Sequence, residues 1–228
     1  MAVITYAIGD IHGRDDLLEL MYARIAHDPH REKDAPRPTV VHLGDYIDRG
    51  PDSHKVLDRV MRGSDGFETI ALLGNHESLL LDCLLSDDRD LWRLWLNNGG
   101  GSTLEALGLP LGVDPRALTQ ALGEERIRWL RARPVCHIAG DYFFVHAGIV
   151  PGIPIEAQQR KDMLWIRTRF LESDADHGCI VVHGHTPTEL PVVKKNRIGI
   201  DTGAARPRAL TAVALSGGKP PRFLSVTE

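Results

Sequence analysis

Cysteine is scarce in this 228-residue chain, with Cys83, Cys136 and Cys179 far apart. Their odd number and wide spacing argue against a disulfide framework, and the lack of any Cys-x-x-Cys pair leaves a zinc knuckle unsupported. Neither a Cys-x5-Arg loop nor a P-loop is expected, so cysteine-based phosphatase and nucleoside triphosphatase chemistries have no footing. No apolar run reaches the roughly 18 residues that would suggest a transmembrane helix. No basic stretch precedes an apolar one near Met1, so a signal peptide is not expected and a reducing cytoplasm is the expected compartment. The chain also lacks a strong charge of either sign. Its net charge is −4, and Lys and Arg are scattered, so no nucleic-acid surface and no membrane partner are expected. No heptad pattern declares an oligomeric state.

What is present is enough for a core. Hydrophobic residues make up 43% of the chain, an ordinary share for a globular domain, and the length suits one domain (1–228) with an insertion. Val3–Gly9, Thr39–Gly44 and Glu68–Gly74 read as strands, and Asp15–Ala26 and Ser53–Arg62 as helices between them. His27–Pro38 reads as a loop. This alternation predicts βαβ units and a parallel sheet, whose ligands gather beyond the carboxyl ends of the strands. Residues 78–133 read as a helical insert, broken at Asn97–Gly101 where glycine is dense. A hairpin is predicted at Val135–Ile138 and Tyr142–Val145. Strands follow at Cys179–His183, Val192–Ile200 and Ala209–Leu215, with an edge strand near Pro220–Val226.

Five short stretches set Asp, Asn or His beside glycine: Gly9-Asp10-Ile11-His12-Gly13, Gly44-Asp45-Tyr46-Ile47-Asp48-Arg49-Gly50, Gly74-Asn75-His76-Glu77, His146-Ala147-Gly148 and Gly184-His185-Thr186. Asp10, Asp45 and Asn75 all fall just past predicted strand ends. Asp10 and His12, at i and i+2 on extended backbone, point to one side. Asp45 carries two oxygens, enough to bridge two ions. Carboxylate oxygen and imidazole nitrogen together suit divalent transition metals. Each glycine, taken alone, reads equally well as an ordinary strand-to-helix turn.

In order and wording, the five stretches resemble the PPP family of metal-dependent phosphoprotein phosphatases, within the calcineurin-like metallophosphoesterases. The resemblance runs from Ile8 to about Leu215. It implies an α/β fold, a β-sandwich of two mixed sheets flanked by helices, and two divalent metal ions, manganese first with iron or zinc also admitted. Carried over by motif, Asp10, His12 and Asp45 hold one ion, and Asp45, Asn75, His146 and His185 the other, roughly 3.5–4 Å away. His76 is implied as general acid with Asp48 orienting it, and Arg49 and Arg167 as phosphate-binding groups. The implied reaction is in-line attack on phosphorus by a metal-bridged hydroxide, without a phosphoenzyme.

The substrate implied first is a phosphorylated protein on Ser or Thr, or a small phosphate ester. A symmetrical bis(5'-nucleosyl) tetraphosphatase shares the same core, and the chain is short for that group. A non-catalytic metal-binding scaffold is the third reading, disfavoured because every ligand and the acid are present. His183 alternates with His185 and stands either as a further ligand or as a packed residue. His42 is expected in the core, and His27, His30, His54, His137 and His177 at the surface. Arg169 is expected on a solvated helix face, and Trp92 with Trp95 in the core. Asp201-Thr202-Gly203 resembles a loop near the site, or is a plain turn. Arg206-Pro207-Arg208 departs from the family pattern. If that loop borders the cleft, it adds positive charge beside the leaving group.

Overall fold

The computed structural model describes residues 4–31, 36–86, 88–206 and 208–228. Val3, residues 32–35 of the expected loop and Pro207 lie outside the described residues. Two five-stranded mixed sheets pack face to face. The first runs β10 (Arg222–Val226), β9 (Leu210–Leu215), β1 (Thr5–Ile8), β2 (Thr39–His42), β3 (Glu68–Ala71). The second runs β4 (Cys136–Ala139), β5 (Tyr142–Val145), β6 (Ile180–His183), β8 (Arg197–Gly199), β7 (Val192–Val193). The three strands β1, β2 and β3 are parallel neighbours, as are β5, β6 and β8. The expected two-sheet sandwich flanked by helices is therefore the observed fold.

Period-2 alternation assigns each residue its layer. Ala7, Val41, Phe144, Val182, Ile198 and Val213 point between the sheets and form the central core. Tyr6, Ile8 and Val40 point the other way, against α1 (Asp15–Ala26) and α2 (Ser53–Arg62). Phe143, Val145 and Val181 point outward from the second sheet against Met163 of α8 (Arg160–Trp165) and Phe170 of α9 (Thr168–Leu171). Each large apolar side chain buried this way is worth about 1.5–3 kcal/mol. No helix among the described residues is long and apolar enough to cross a membrane.

Between β3 and β4 the chain forms α3 (Asn75–Leu84), α4 (Arg89–Trp95), α5 (Gly101–Ala106), α6 (Pro115–Leu122) and α7 (Glu124–Arg131). Asp88 caps α4 by accepting from the amides of Asp90 and Leu91. Asp114 caps α6 in the same way, with Pro115 in its first turn. The predicted break at Asn97–Gly101 is a single π-type turn, Leu96–Gly100, in which Gly99 alone leaves helical dihedrals, so α5 follows at once.

The predicted strand Val192–Ile200 is two strands, β7 and β8, folded back on each other. At the reversal the Asn196 side-chain amide is tied to the carbonyls of Ser173 and Ala175, and the Lys194 amide donates to the Arg197 carbonyl. Of the histidines expected at the surface, His27 and His30 are exposed, whereas His54, His137 and His177 are half-buried. His137 packs on Phe144 and His177 on Phe170, with ring centroids 6.0 and 6.1 Å apart. His42 is buried in β2 beside the Tyr22 hydroxyl, 3.0 Å away.

Asp28, just past α1, clips the edge strand to the body. It accepts from the Tyr6 hydroxyl at 2.7 Å and from both terminal nitrogens of Arg222 at 2.7 and 3.2 Å. Burial alone would raise the Asp28 carboxyl, but the Arg222 guanidinium, the His30 amide and the Tyr6 hydroxyl hold it well below the usual carboxylate range. A carboxyl depressed on folding adds stability above its unfolded pKa of about 3.9, and that stability is lost as pH falls toward the folded value. Asp28→Asn is therefore expected to cost about 1–2 kcal/mol at pH 7, discounted for the exposed half of the Arg222 pair. The gap to wild type should narrow below about pH 4. Urea unfolding at pH 7 and pH 3 checks this; a gap of equal size at both values would contradict it.

Candidate active site

Six strand ends deliver the chemistry. Asp10 and His12 follow β1, Asp45 follows β2, Asn75 follows β3, His146 follows β5, His185 follows β6 and Asp201 follows β8. Because these strands run parallel within each sheet, their carboxyl ends share one edge of the sandwich. All of these side chains are at most 4% exposed.

Asp45 divides its carboxylate between two neighbours. Its Oδ2 lies 3.5 Å from His12 Nε2 and 3.8 Å from His76 Nε2, and its Oδ1 lies 3.4 Å from His146 Nε2. His12, Asp45 and His76 form one group able to hold a metal ion, and Asp45, His146 and His185 another. Asn75 joins the second group, its Oδ1 lying 2.8 Å from His146 Nε2 and 2.9 Å from His185 Nδ1. Asp10 accepts from the His185 amide through both oxygens, each at 3.1 Å.

The tautomers follow from the partners on the far side of two rings. His12 Nδ1 donates to the Ile47 carbonyl at 2.8 Å, and His146 Nδ1 to the Leu43 carbonyl at 3.0 Å. Each Nε2 is thus left as a bare acceptor turned toward Asp45. Acceptor now faces acceptor: His146 Nε2, Asn75 Oδ1 and Asp45 Oδ1 converge with few protons among them. Burial and the charges of Asp201 and Asp45 push the Asp10 carboxyl up, and burial pushes Asp45 up as well. Burial lowers His12 and His146 well below the ordinary imidazole value and His185 to about 3. Anionic oxygens that resist ionising and imidazoles that stay neutral are both stabilised by a cation among them. The donor set therefore fits divalent metal.

Among the described residues, five non-glycine residues adopt left-handed backbone, and all lie here: His12, Asp45, Asp48, Arg49 and His185, with φ between 47° and 69°. Each costs of order 1–3 kcal/mol unless the surroundings impose it. Glu77 is the residue that holds the Asp45 turn. Its carboxylate is fully buried and accepts from the amides of Asp45, Tyr46, Ile47 and Gly74 at 2.7–3.2 Å. Burial pushes its carboxyl up to about 8. Four converging amides leave a proton on it no acceptor, so the ionised form is the one this geometry matches.

His76 Nδ1 lies 2.7 Å from Asp48 Oδ2. Asp48 is in turn fixed by Trp95 Nε1 at 3.0 Å and Thr103 Oγ1 at 2.6 Å, both from the helices after β3. Burial works to lower the His76 pKa, but the Asp45 charge and the Asp48 hydrogen bond outweigh it and hold the imidazole above its ordinary value. Arg49 donates through Nη1 to His12 Nε2 at 2.6 Å and through Nη2 to His76 Nε2 at 2.9 Å.

Arg167 is exposed and makes no hydrogen bond to the cluster, although its charge reaches His185 and helps keep it neutral. Arg169 is exposed as expected. His183 belongs to neither ligand group. Its ring packs on Phe170, with centroids 5.1 Å apart, and its Nδ1 donates to the Gly184 carbonyl. Asp201 stands beside Asp10 rather than in a plain turn and accepts from the Gly203 amide. Arg206 is exposed and packs near Gly203. The roles of Glu77, Thr103 and the Trp95 indole nitrogen went unforeseen. For Glu77 the signal was available, a carboxylate two residues after Asn75 in a helix start. Cys83 and Arg89 do stand at Cys-x5-Arg spacing, but Cys83 is buried in α3 and its thiol is pushed up to about 12 by burial, so no nucleophile loop forms.

The calcineurin-like phosphoesterase family matches residues 5–212, and the chain belongs to it. The chain is 30% identical over 210 residues to serine/threonine-protein phosphatase 1 of Salmonella typhimurium, covering 87% of this chain and 86% of that protein. It is 35% identical over 150 residues to a symmetrical bis(5'-nucleosyl)-tetraphosphatase of Acidovorax sp. strain JS42, covering 64% of this chain. The match spans 44% of that tetraphosphatase's length. A crystal structure provisionally assigned as a diadenosine tetraphosphatase superposes with TM-score 0.69 at 21% identity, covering 99% of this chain and 93% of that one. At that identity the likeness shows the fold alone.

Asp45→Asn keeps the shape but removes the charge shared by the two groups. It is expected to lower the manganese-to-protein ratio after reloading and desalting, by at least one ion per chain. Elemental analysis checks it, and an unchanged ratio would remove Asp45 from the shared position.

Proposed function

We propose that the chain is a metal-dependent phosphomonoesterase of the Ser/Thr protein phosphatase type. Phosphate-ester hydrolysis rests on the His76–Asp48 pair, His76 itself standing in one of the two groups that share Asp45, and the phosphatase type rests on one relative. The Salmonella phosphatase supports it, since the alignment runs through most of both chains. Asp10, His12 and Asp45 are assigned to one divalent ion, and Asp45, Asn75, His146 and His185 to a second, with manganese first among the candidates. When bound, such ions neutralise phosphate charge and make a water acidic near neutral pH.

The protein's own groups do the rest. Arg49 and Arg167 hold phosphate oxygens, the first suited to a bidentate contact. Engaging phosphate draws Arg49 away from His76 Nε2 and frees that nitrogen to carry a proton. His76 then donates it to the leaving oxygen, while Asp48 holds Nδ1–H and stabilises the imidazolium. Attack is direct on phosphorus, with no phosphoenzyme.

A second reading, symmetrical dinucleoside tetraphosphate hydrolysis, is favoured by the matches at 33–35% identity to tetraphosphatases. The two separate on one plate. Manganese-reloaded protein is offered a phosphoserine peptide, a phosphotyrosine peptide and diadenosine tetraphosphate. The phosphoserine peptide is expected to show the highest kcat/KM, and faster turnover of the dinucleotide would transfer the assignment to the second reading. His76→Asn is expected to lower kcat by about 10²–10³ on phenyl phosphate. On p-nitrophenyl phosphate, whose leaving group needs little protonation, the loss should be smaller. Equal losses on the two esters would count against an acid role.

A further inference from the structure

Three consecutive glycines, two in the turn between α4 and α5 and the third opening α5, meet three different surroundings. Gly99 has φ 108°, and a Cβ there would meet Arg49 Cγ at 2.7 Å and the Arg49 amide nitrogen at 3.1 Å. Its carbonyl accepts from the Arg49 amide at 3.1 Å and from Ser102 Oγ at 2.9 Å. The adjoining Asn98 carbonyl accepts from Arg49 Nε at 3.3 Å, and Asn98 itself is tied to the Leu94 carbonyl at 2.8 Å. Gly100 is helical, with φ −59°, and lies against the Trp95 indole; a Cβ there would overlap the ring and meet Nε1 at 2.8 Å. Gly101 is also helical, with φ −57°, and a Cβ there would make only an ordinary contact of 3.4 Å with Leu111.

The first two glycines touch two neighbouring functional residues by separate routes. Arg49 is left-handed with φ 66°, a conformation its own side chain does not favour. The Gly99 and Asn98 carbonyls fix its backbone and its Nε, which leaves the two terminal nitrogens aimed at His12 and His76. Trp95, seated on Gly100, donates to Asp48 Oδ2, the same oxygen that pairs with His76 Nδ1. We propose that Gly99 is the positioning residue for the Arg49 phosphate clamp and Gly100, acting through Trp95, the positioning residue for the Asp48–His76 pair. The inference rests on the phosphomonoesterase reading for its kinetic arm, and on phosphate binding alone for its other arm.

The test uses full-length, manganese-loaded Gly99→Ala, Gly100→Ala and Gly101→Ala. Inorganic phosphate affinity is measured by calorimetry, kcat and KM on phenyl phosphate and p-nitrophenyl phosphate, and Tm alongside. Misplacement of a clamp or an acid by an ångström is worth up to about 10²-fold. Gly99→Ala is expected to weaken phosphate binding and raise KM about tenfold, with kcat changed less than about threefold. Gly100→Ala is expected to lower kcat on phenyl phosphate about 10²-fold, less on p-nitrophenyl phosphate, with phosphate affinity unmoved. Its tryptophan emission should shift as Trp95 leaves its seat. Gly101→Ala should match wild type in all of these.

Should Gly99→Ala fail to fold, Ser102→Ala loosens the same carbonyl and is expected to weaken phosphate binding two- to threefold. Parallel losses of every parameter in Gly99→Ala and Gly100→Ala, tracking Tm, would overturn the proposal. So would wild-type phosphate affinity in a folded Gly99→Ala or, where that variant does not fold, in Ser102→Ala. If wild type turns over neither ester, the functional reading fails, while phosphate affinity in Gly99→Ala and tryptophan emission in Gly100→Ala still decide this one.

Discussion

The Asp45 carboxylate is the shared wall of the site. One oxygen faces His12 and His76, the other faces His146, and no other side chain in the cluster serves both groups. Its position is imposed. Left-handed backbone at an aspartate is unfavourable, and here it is held by a carboxylate that collects four amides around the turn. Glu77 thus links β2 to the start of α3, so the residue after one strand and the residue after the next are placed by a single buried anion. Loss of that anion would leave four inward-facing amides without acceptors, each costing about 1–3 kcal/mol. The turn could not keep its shape for less.

The same logic extends outward. Helices α4 and α5 serve as a backing plate: Trp95 and Thr103 grip Asp48, and the turn between the helices grips Arg49. The sandwich supplies the candidate ligands and the helices after β3 supply the restraints on the candidate acid and clamp. That division explains why a stretch with little chemistry of its own carries such dense contact with the site. A polar indole nitrogen buried in an apolar cluster must find an acceptor, and Asp48 is the acceptor it finds.

Much of this was legible in the sequence because the informative residues come in local runs. Strand length and the alternation of strand with helix gave the parallel half of the first sheet, and glycine beside Asp, Asn or His marked the strand ends. What stayed hidden depends on contacts remote in sequence. Trp95 and Asp48 are 47 positions apart, and nothing near Trp95 announces a carboxylate. The fold-back of Val192–Ile200 is accompanied by Asn196 reaching the carbonyls of Ser173 and Ala175, which no window around residue 196 contains. His183 shows the opposite limit. Its spacing from His185 suits a metal ligand, but β6 ends at His183, and the left-handed turn at His185 sends the two rings into different surroundings.

Left-handed backbone at His12, Asp45, Asp48, Arg49 and His185 also bears on how a site of this kind stays rigid. Five such residues represent several kcal/mol of local strain, comparable with the net stability of an ordinary domain. Strain on that scale persists only where the alternative conformations are worse. Here they would strand buried amides at Glu77 and buried carboxylates at Asp10 and Asp45. The polar groups that crowd the site are therefore what keeps its backbone in place. In this respect the substitutions most damaging to geometry should be those at Glu77 and Thr103, which are not themselves candidate ligands, rather than those at the exposed Arg167.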